Sequence, residues 1–403
     1  MAVTTTRRTT RAARALLAVG TAAALAVGLS PAPAQAQTGS ISPEQLANQG
    51  LQGFSPESLS QLLYFGNFPG SSGSTMMGIA NRLGFSPNMF AGSPPPSPQP
   101  NPNITESKVI SKRINADDPR YAKWYADPRY SQWLIDSGDM KRGITVEVYK
   151  AANPGAPTLY LLDGVGSEQP SGFMQWGAIE QFKDQNVNLV IPTGGQGTMW
   201  ADWDTPDPVL GISKFESFIT RDLPRFVEPD LRGNGKRGIG GISMGAAAAV
   251  TTATRHPDLY NAVFGVSGCY STDQLGQILT RYTVESRGGT VTNMWGEPGN
   301  ETWQAHDALI NAEKLRGKRI YLSSGTGVAE PGDWERYNGD ALNFVAGMAL
   351  EQATDRCTWA ADRRLEELGI PAQIDHRPTG MHNWHYYSRQ IPVAWNSVKS
   401  ALY

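Results

Sequence analysis

The chain has 403 residues, a formal charge of −2, a mean hydropathy of −0.37 and two cysteines among 43 glycines and 28 prolines. That length accommodates one large domain with a sizeable core plus an appendage. The slightly acidic balance excludes a nucleic-acid binder.

Residues 1–36 read as a secretory leader. Arg7, Arg8, Arg11 and Arg14 precede an apolar stretch over 15–29, and Ala34-Gln35-Ala36 offers a small-residue cleavage site. Thr9 and Thr10 stand where twin-arginine export uses apolar residues. Removing a leader with four arginines and no acids takes the formal charge from −2 to −6. The apolar stretch is short and broken by Gly20 and Gly28, and no other segment could span a bilayer.

Residues 37–90 form a polar, glycine-rich arm with one short helical pattern at 56–63 and no evident chemistry. Residues 91–108 form a linker whose proline-rich part, from Ser93 to Pro102, favours extended polyproline geometry. From 109 to 403, strand-like runs at 144–149, 158–162, 188–191, 238–242, 262–266, 319–322 and 373–375 alternate with helical ones. One of these, at 215–227, puts Phe215, Phe218, Ile219 and Phe226 on one face. Alternation of this kind predicts an α/β fold with a mostly parallel central sheet flanked by helices.

Within that pattern, Gly241-Ile242-Ser243-Met244-Gly245 follows a strand and precedes the small-residue helix opened by Ala246-Ala247-Ala248-Ala249. A serine is a useful nucleophile only if a base takes its proton and a sharp strand-to-helix turn pushes it out of the sheet. Glycines two residues to either side permit such a turn. In a chain so rich in glycine the motif alone is weak, so its partners matter. Chain order in this fold runs nucleophile, acid, histidine. Of the histidines after Ser243, His382 lies in a turn past the last strand and can aim an imidazole across the sheet, whereas His376 sits at a strand end and His385 faces elsewhere. Glu330, Asp333, Glu335, Asp340, Glu351, Asp355 and Asp362 all remain open as the acid. An oxyanion hole needs two backbone N–H donors, one from Met244 and one from the Asp163-Gly164-Val165-Gly166 loop after the 158–162 strand, unless that loop is an ordinary turn. An isolated cysteine pair in an exported protein predicts a Cys269–Cys357 disulfide, the alternative being two buried thiols.

Five motifs in order, Tyr160-Leu161-Leu162-Asp163-Gly164, Ile191-Pro192-Thr193-Gly194-Gly195-Gln196, Ala201-Asp202-Trp203, Gly241-Ile242-Ser243-Met244 and Met381-His382-Asn383-Trp384, resemble the antigen 85-type mycolyltransferases and their corynebacterial relatives, an esterase D-like α/β-hydrolase family. The resemblance covers about 109 to the C-terminus. It implies an α/β-hydrolase fold, export to the cell envelope, and transfer of mycolyl groups from trehalose monomycolate to trehalose or arabinogalactan, with no metal or other cofactor. By position it makes Ser243 the nucleophile, His382 the base, Glu351 the acid, Val165 and Met244 the oxyanion donors, Asp163 a trehalose-binding carboxylate and Trp384 part of the acyl and sugar cleft. The family's arginine after the oxyanion residue is here Gly166, and Gly245 stands where alanine is common. The competing expectations are a secreted carboxylesterase on the same scaffold and a non-catalytic wall-binding protein.

Overall fold

The computed structural model describes residues 97–403 apart from 339–340, so the leader, the arm, the first part of the linker and Asp340 lie outside the described residues. The chain divides into two compact units.

The larger unit is built on a nine-stranded sheet in the order β1-β2-β3-β5-β4-β6-β7-β8-β9. The strands are β1 (Lys108–Ser111), β2 (Tyr130–Ser137), β3 (Arg142–Tyr149), β4 (Thr158–Leu162), β5 (Asn188–Pro192), β6 (Arg237–Ile242), β7 (Ala262–Val266), β8 (Arg319–Ser324) and β9 (Gln373–His376). The pairings through β3–β5 are antiparallel and all the rest are parallel. The mostly parallel sheet matches expectation, with the antiparallel edge of β1 and β2 added to it.

Strand periodicity splits the core in two. Tyr160 and Leu162 point to one face, where they meet Ala246, Ala249, Val250, Phe215 and Phe218; Leu159 and Leu161 point to the other, where they meet Phe173, Phe182, Ile391 and Trp395. Both faces are thus covered, and the central strands are buried along their whole length.

The helix expected at 215–227 exists but its phase differs from the expectation. Phe215–Ser217 leads into a π-helical turn, Phe218–Asp222, and then into α1, Leu223–Leu231. The wider turn advances the buried face by one residue. Val227 is therefore fully buried where Phe226 was expected to be, and Phe226 is only half-buried. Pro224, which carries no N–H for an i→i−4 bond, stands at the start of α1.

The remaining long helices are α2 (Met244–Arg255), α3 (Gln274–Glu285), α4 (Ala341–Glu367) and α5 (Trp384–Val398). Residues of α4 up to Ala353 belong to the smaller unit, whose described parts are Gly325–Ala353 and Arg377–His382. Its core gathers Ala329, Phe344, Met348 and Met381, with Trp334 and Tyr337 packed against them. The expected Cys269–Cys357 disulfide is formed; it lies in the larger unit and closes a separation of 88 residues. Among the described residues no helix is long and apolar enough to cross a membrane.

Candidate active site

Ser243 sits between β6 and α2 with φ 53° and ψ −121°, a strained conformation for a residue with a side chain. The surrounding main chain enforces it. A Cβ on Gly241 would lie 2.3 Å from the Gly245 carbonyl, and one on Gly245 would lie 1.9 Å from Leu162 O. Neither position admits any side chain without moving backbone. The Ser243 N–H donates to Val266 O at 2.9 Å and its carbonyl accepts from Ala246 and Ala247, so the elbow is bonded on both sides. Met244 opens α2, and the N–H of a first helical residue has no acceptor within its own helix.

The loop after β4 runs alongside. A Cβ on Gly164 would meet Ile242 Cδ1 at 2.8 Å and the Ser243 Cβ at 3.5 Å. The Ser167 N–H donates to Gly164 O, placing Val165 and Gly166 in the tight turn between them. Asp163 is 4 % exposed; its carboxylate accepts from the Gly164 N–H at 2.8 Å and the Gly172 N–H at 2.7 Å, and its carbonyl accepts from Trp200 Nε1 at 2.8 Å. Asp163 therefore braces the loop that carries Val165. Burial raises its pKa to about 6.

Glu147, which sequence reasoning passed over, is buried in β3 and accepts from Tyr130 Oη and from the Ser171 N–H, both at 3.1 Å. Burial pushes its pKa to about 7. Its signal in the sequence is a lone charge within the apolar run 144–149.

Trp384 is the first residue of α5, which Asn383 caps by accepting from the Tyr386 N–H. The indole lies so close over Gly172 that a Cβ there would fall 2.0 Å from the ring. Phe173 meets it edge-on at 5.4 Å, and the ring of Trp176, 44 % exposed, lies parallel to it at 6.5 Å. Trp176 was not singled out from the sequence.

In the smaller unit, His382 Nδ1 lies 2.7 Å from Glu351 Oε2, and Glu351 is fully buried. The other carboxylate oxygen accepts from the Gly325 N–H at 2.7 Å. The His382 backbone N–H donates to Gly347 O at 3.1 Å, and its carbonyl accepts from Tyr337 Oη at 3.3 Å. The turn before it is tied down by the bonds Gly327 N–H to Gly380 O and Gly380 N–H to Val328 O, each 2.9 Å. With Nδ1 facing a carboxylate, Nδ1 carries the proton and Nε2 is the basic nitrogen.

Other acids left open by the sequence have other partners. Asp355 accepts from Ser324 Oγ and, with Asp362, flanks His376, while Asp333 pairs with Arg336. His306 faces the buried Glu216, which also binds Arg255 and His256. Among the described residues no group of three or more His, Cys, Asp or Glu is arranged to hold a metal ion.

Whole-chain comparison agrees with the resemblance drawn from the five motifs. The chain is 28% identical to the diacylglycerol acyltransferase/mycolyltransferase Ag85B of Mycolicibacterium smegmatis, over 67% of this chain and 84% of that protein. It is also 28% identical to Ag85A of Mycobacterium tuberculosis, over 66% and 80%. Among solved structures, Mycobacterium tuberculosis MPT51 (FbpC1) superposes with a TM-score of 0.54 at 21% identity, covering 68% of this chain and 99% of its own. An S-formylglutathione hydrolase from Agrobacterium tumefaciens gives the same TM-score at 15% identity, covering 73% and 100%. Both share the α/β-hydrolase fold. The Putative esterase family matches residues 137–397, well over half of the sequence and containing both the Ser243 elbow and the Glu351–His382 pair, and the chain belongs to that family.

Proposed function

We propose that this chain is a serine acyltransferase that moves mycolyl groups from trehalose monomycolate to a sugar hydroxyl of trehalose or arabinogalactan. The observation that carries the reading is the buried Glu351 holding His382 by its Nδ1, the arrangement a serine nucleophile requires of its base. In this reading His382 Nε2 takes the proton of Ser243 Oγ as the oxygen attacks the ester carbonyl. The N–H groups of Val165 and Met244 receive the oxyanion. The carbonyl–oxygen bond to trehalose breaks, the trehalose oxygen takes the proton from His382, and the acyl group remains as an ester on Ser243. An acceptor hydroxyl then gives its proton to His382 and takes the acyl group by the same steps reversed. Asp163 holds the oxyanion loop and borders the trehalose site, and Trp384 with its aromatic neighbours walls the acyl and sugar cleft.

The names carried by the mycobacterial relatives support acyl and mycolyl transfer. Residues 109–403 form the catalytic domain of this proposal; residues 1–36 direct export to the cell envelope, with 37–90 as an arm and 91–108 as a linker. Incubation of the purified protein with trehalose monomycolate tests it, followed by lipid separation and mass analysis. Dimycolate with a mycolyl adduct on Ser243 is expected. Free mycolic acid alone would identify a carboxylesterase, and no turnover at all would leave a wall-binding protein.

A further inference from the structure

β3 runs antiparallel to β5, and the Thr193 N–H donates to Thr145 O at 3.0 Å, so the start of β3 lies at the carboxyl end of the parallel strands. Ligands of open α/β sheets collect along that edge. A cleft of about 540 Å³, counting its open mouth, occupies this corner of the larger unit. Arg142 and Thr145 of β3, Gln169 of the loop after β4, and Thr193, Gln196 and Thr198 of the loop after β5 contribute to its walls. Arg142 is the one charged residue among the described residues lining it.

The state of that arginine is unusual. Its Nε and Nη2 are buried and have no hydrogen-bond partner among the described residues, and the guanidinium lies 5.5 Å from the centre of the Phe215 ring. Burial lowers its pKa to about 10, and no neighbouring carboxylate offsets the effect. Buried polar groups are almost always partnered, and a desolvated cation without a counter-charge is costly. Nε and Nη2 form the edge of a guanidinium that meets a carboxylate or phosphate at two points. Around it stand neutral groups suited to hydroxyls: the amides of Gln169 and Gln196, and the oxygens of Thr193 and Thr198, whose O–H groups donate to Thr145 O and Gly195 O. The cleft also adjoins the loop that bears Val165, since Ser167 accepts from the Gly194 N–H through its carbonyl and from the Gly195 N–H through its hydroxyl.

We propose that this cleft binds a sugar carrying a single oxyanion, a carboxylate or a phosphate ester, with Arg142 gripping the charge and Gln169 and Gln196 reading adjacent hydroxyls. The site does not depend on acyl transfer, and its occupancy is read without turnover. Calorimetric titration of the full chain with glucuronate, glucose 6-phosphate and glucose tests it. Both charged sugars are expected to bind at least about tenfold more tightly than glucose, and the tighter of the two identifies the oxyanion. Arg142→Gln should lose about tenfold or more for both, and Gln196→Ala, which leaves the guanidinium in place, should lose a few fold. Three results would overturn the proposal: neither charged sugar exceeding glucose, folded Arg142→Gln binding as tightly as the native chain, or, where Arg142→Gln does not fold, Gln196→Ala binding unchanged.

Discussion

Glu351→Gln preserves the shape of a buried side chain while removing its charge, and the bonds around it dictate the consequence. Both carboxylate oxygens accept from N–H groups, one from Gly325 and one from His382, each at 2.7 Å. A carboxamide has one acceptor and one donor end. If its oxygen keeps the Gly325 bond, its NH2 faces His382 Nδ1, which must then accept, leaving the proton on Nε2 where the base should be empty. If it flips, two donors face each other at Gly325, at a cost of about 1 to 3 kcal/mol. Either way the productive tautomer is a minority. Loss of the negative charge opposite the imidazolium adds to this, and the expected total is about 5 kcal/mol, a fall in kcat near 10⁴-fold with KM little changed. Ser243→Ala and His382→Ala should be more damaging, roughly a million-fold. Steady-state mycolyl transfer, with folding checked by circular dichroism, is the assay. Full activity in Glu351→Ala alongside loss in Asp355→Ala or Asp362→Ala would refute the assignment of the acid.

Gly241→Ala places a Cβ 2.3 Å from the Gly245 carbonyl, so the elbow must open; loss of activity with destabilisation of more than about 3 kcal/mol is expected in denaturant titration. Replacing Cys269 and Cys357 together by serine releases a closed loop of 88 residues, and the chain-entropy relation gives a loss of about 4 to 5 kcal/mol; unfolding midpoints equal to the native ones, or two free thiols by mass in the exported protein, would contradict it. Glu216, faced by His256 at 2.8 Å, Arg255 at 2.7 Å and His306 at 3.4 Å, has a pKa well below the ordinary carboxylate value, against the opposing effect of its burial. Its depressed folded pKa contributes stability above the unfolded value near 4.5 that is lost as pH falls below it, so Glu216→Gln should flatten the acid limb of a thermal-melting profile. Glu147 has the opposite sign: its pKa is raised to about 7, so the folded chain holds a proton that the unfolded chain releases, and stability falls as pH rises between about 4.5 and 7. Glu147→Gln should remove part of that decline, on the order of 3 kcal/mol, in melts across the same range.

The central strands were legible because each is a short apolar run bounded by polar residues; β4 and β7 match their predicted spans at both ends. β2 escaped because its buried positions include Gln132 and Ser137, whose burial depends on partners elsewhere, Gln132 being bonded to Asn115. The phase of the 215–231 helical segment could not be read because a π turn breaks the 3.6-residue period without a composition of its own. At the site, the glycine spacing around Ser243 and the turn bearing His382 are local features, and both are visible in the chain. The acid is not, since several carboxylates precede His382 and only tertiary packing distinguishes Glu351, buried and facing Nδ1, from Asp355, which serves His376. Arg142 escaped for a related reason: an arginine at the head of a strand reads as solvated until burial strips its partners away.

The crowding at Gly241 and Gly245 means that the main chain, and not the side chain, aims residue 243. Whatever short nucleophile stands there inherits the same trajectory, so exchange of oxygen for sulfur would alter reactivity while leaving delivery intact. Substrate choice accordingly falls to the loops that decide what arrives, because the hinge that presents the attacking atom is fixed by close backbone contact.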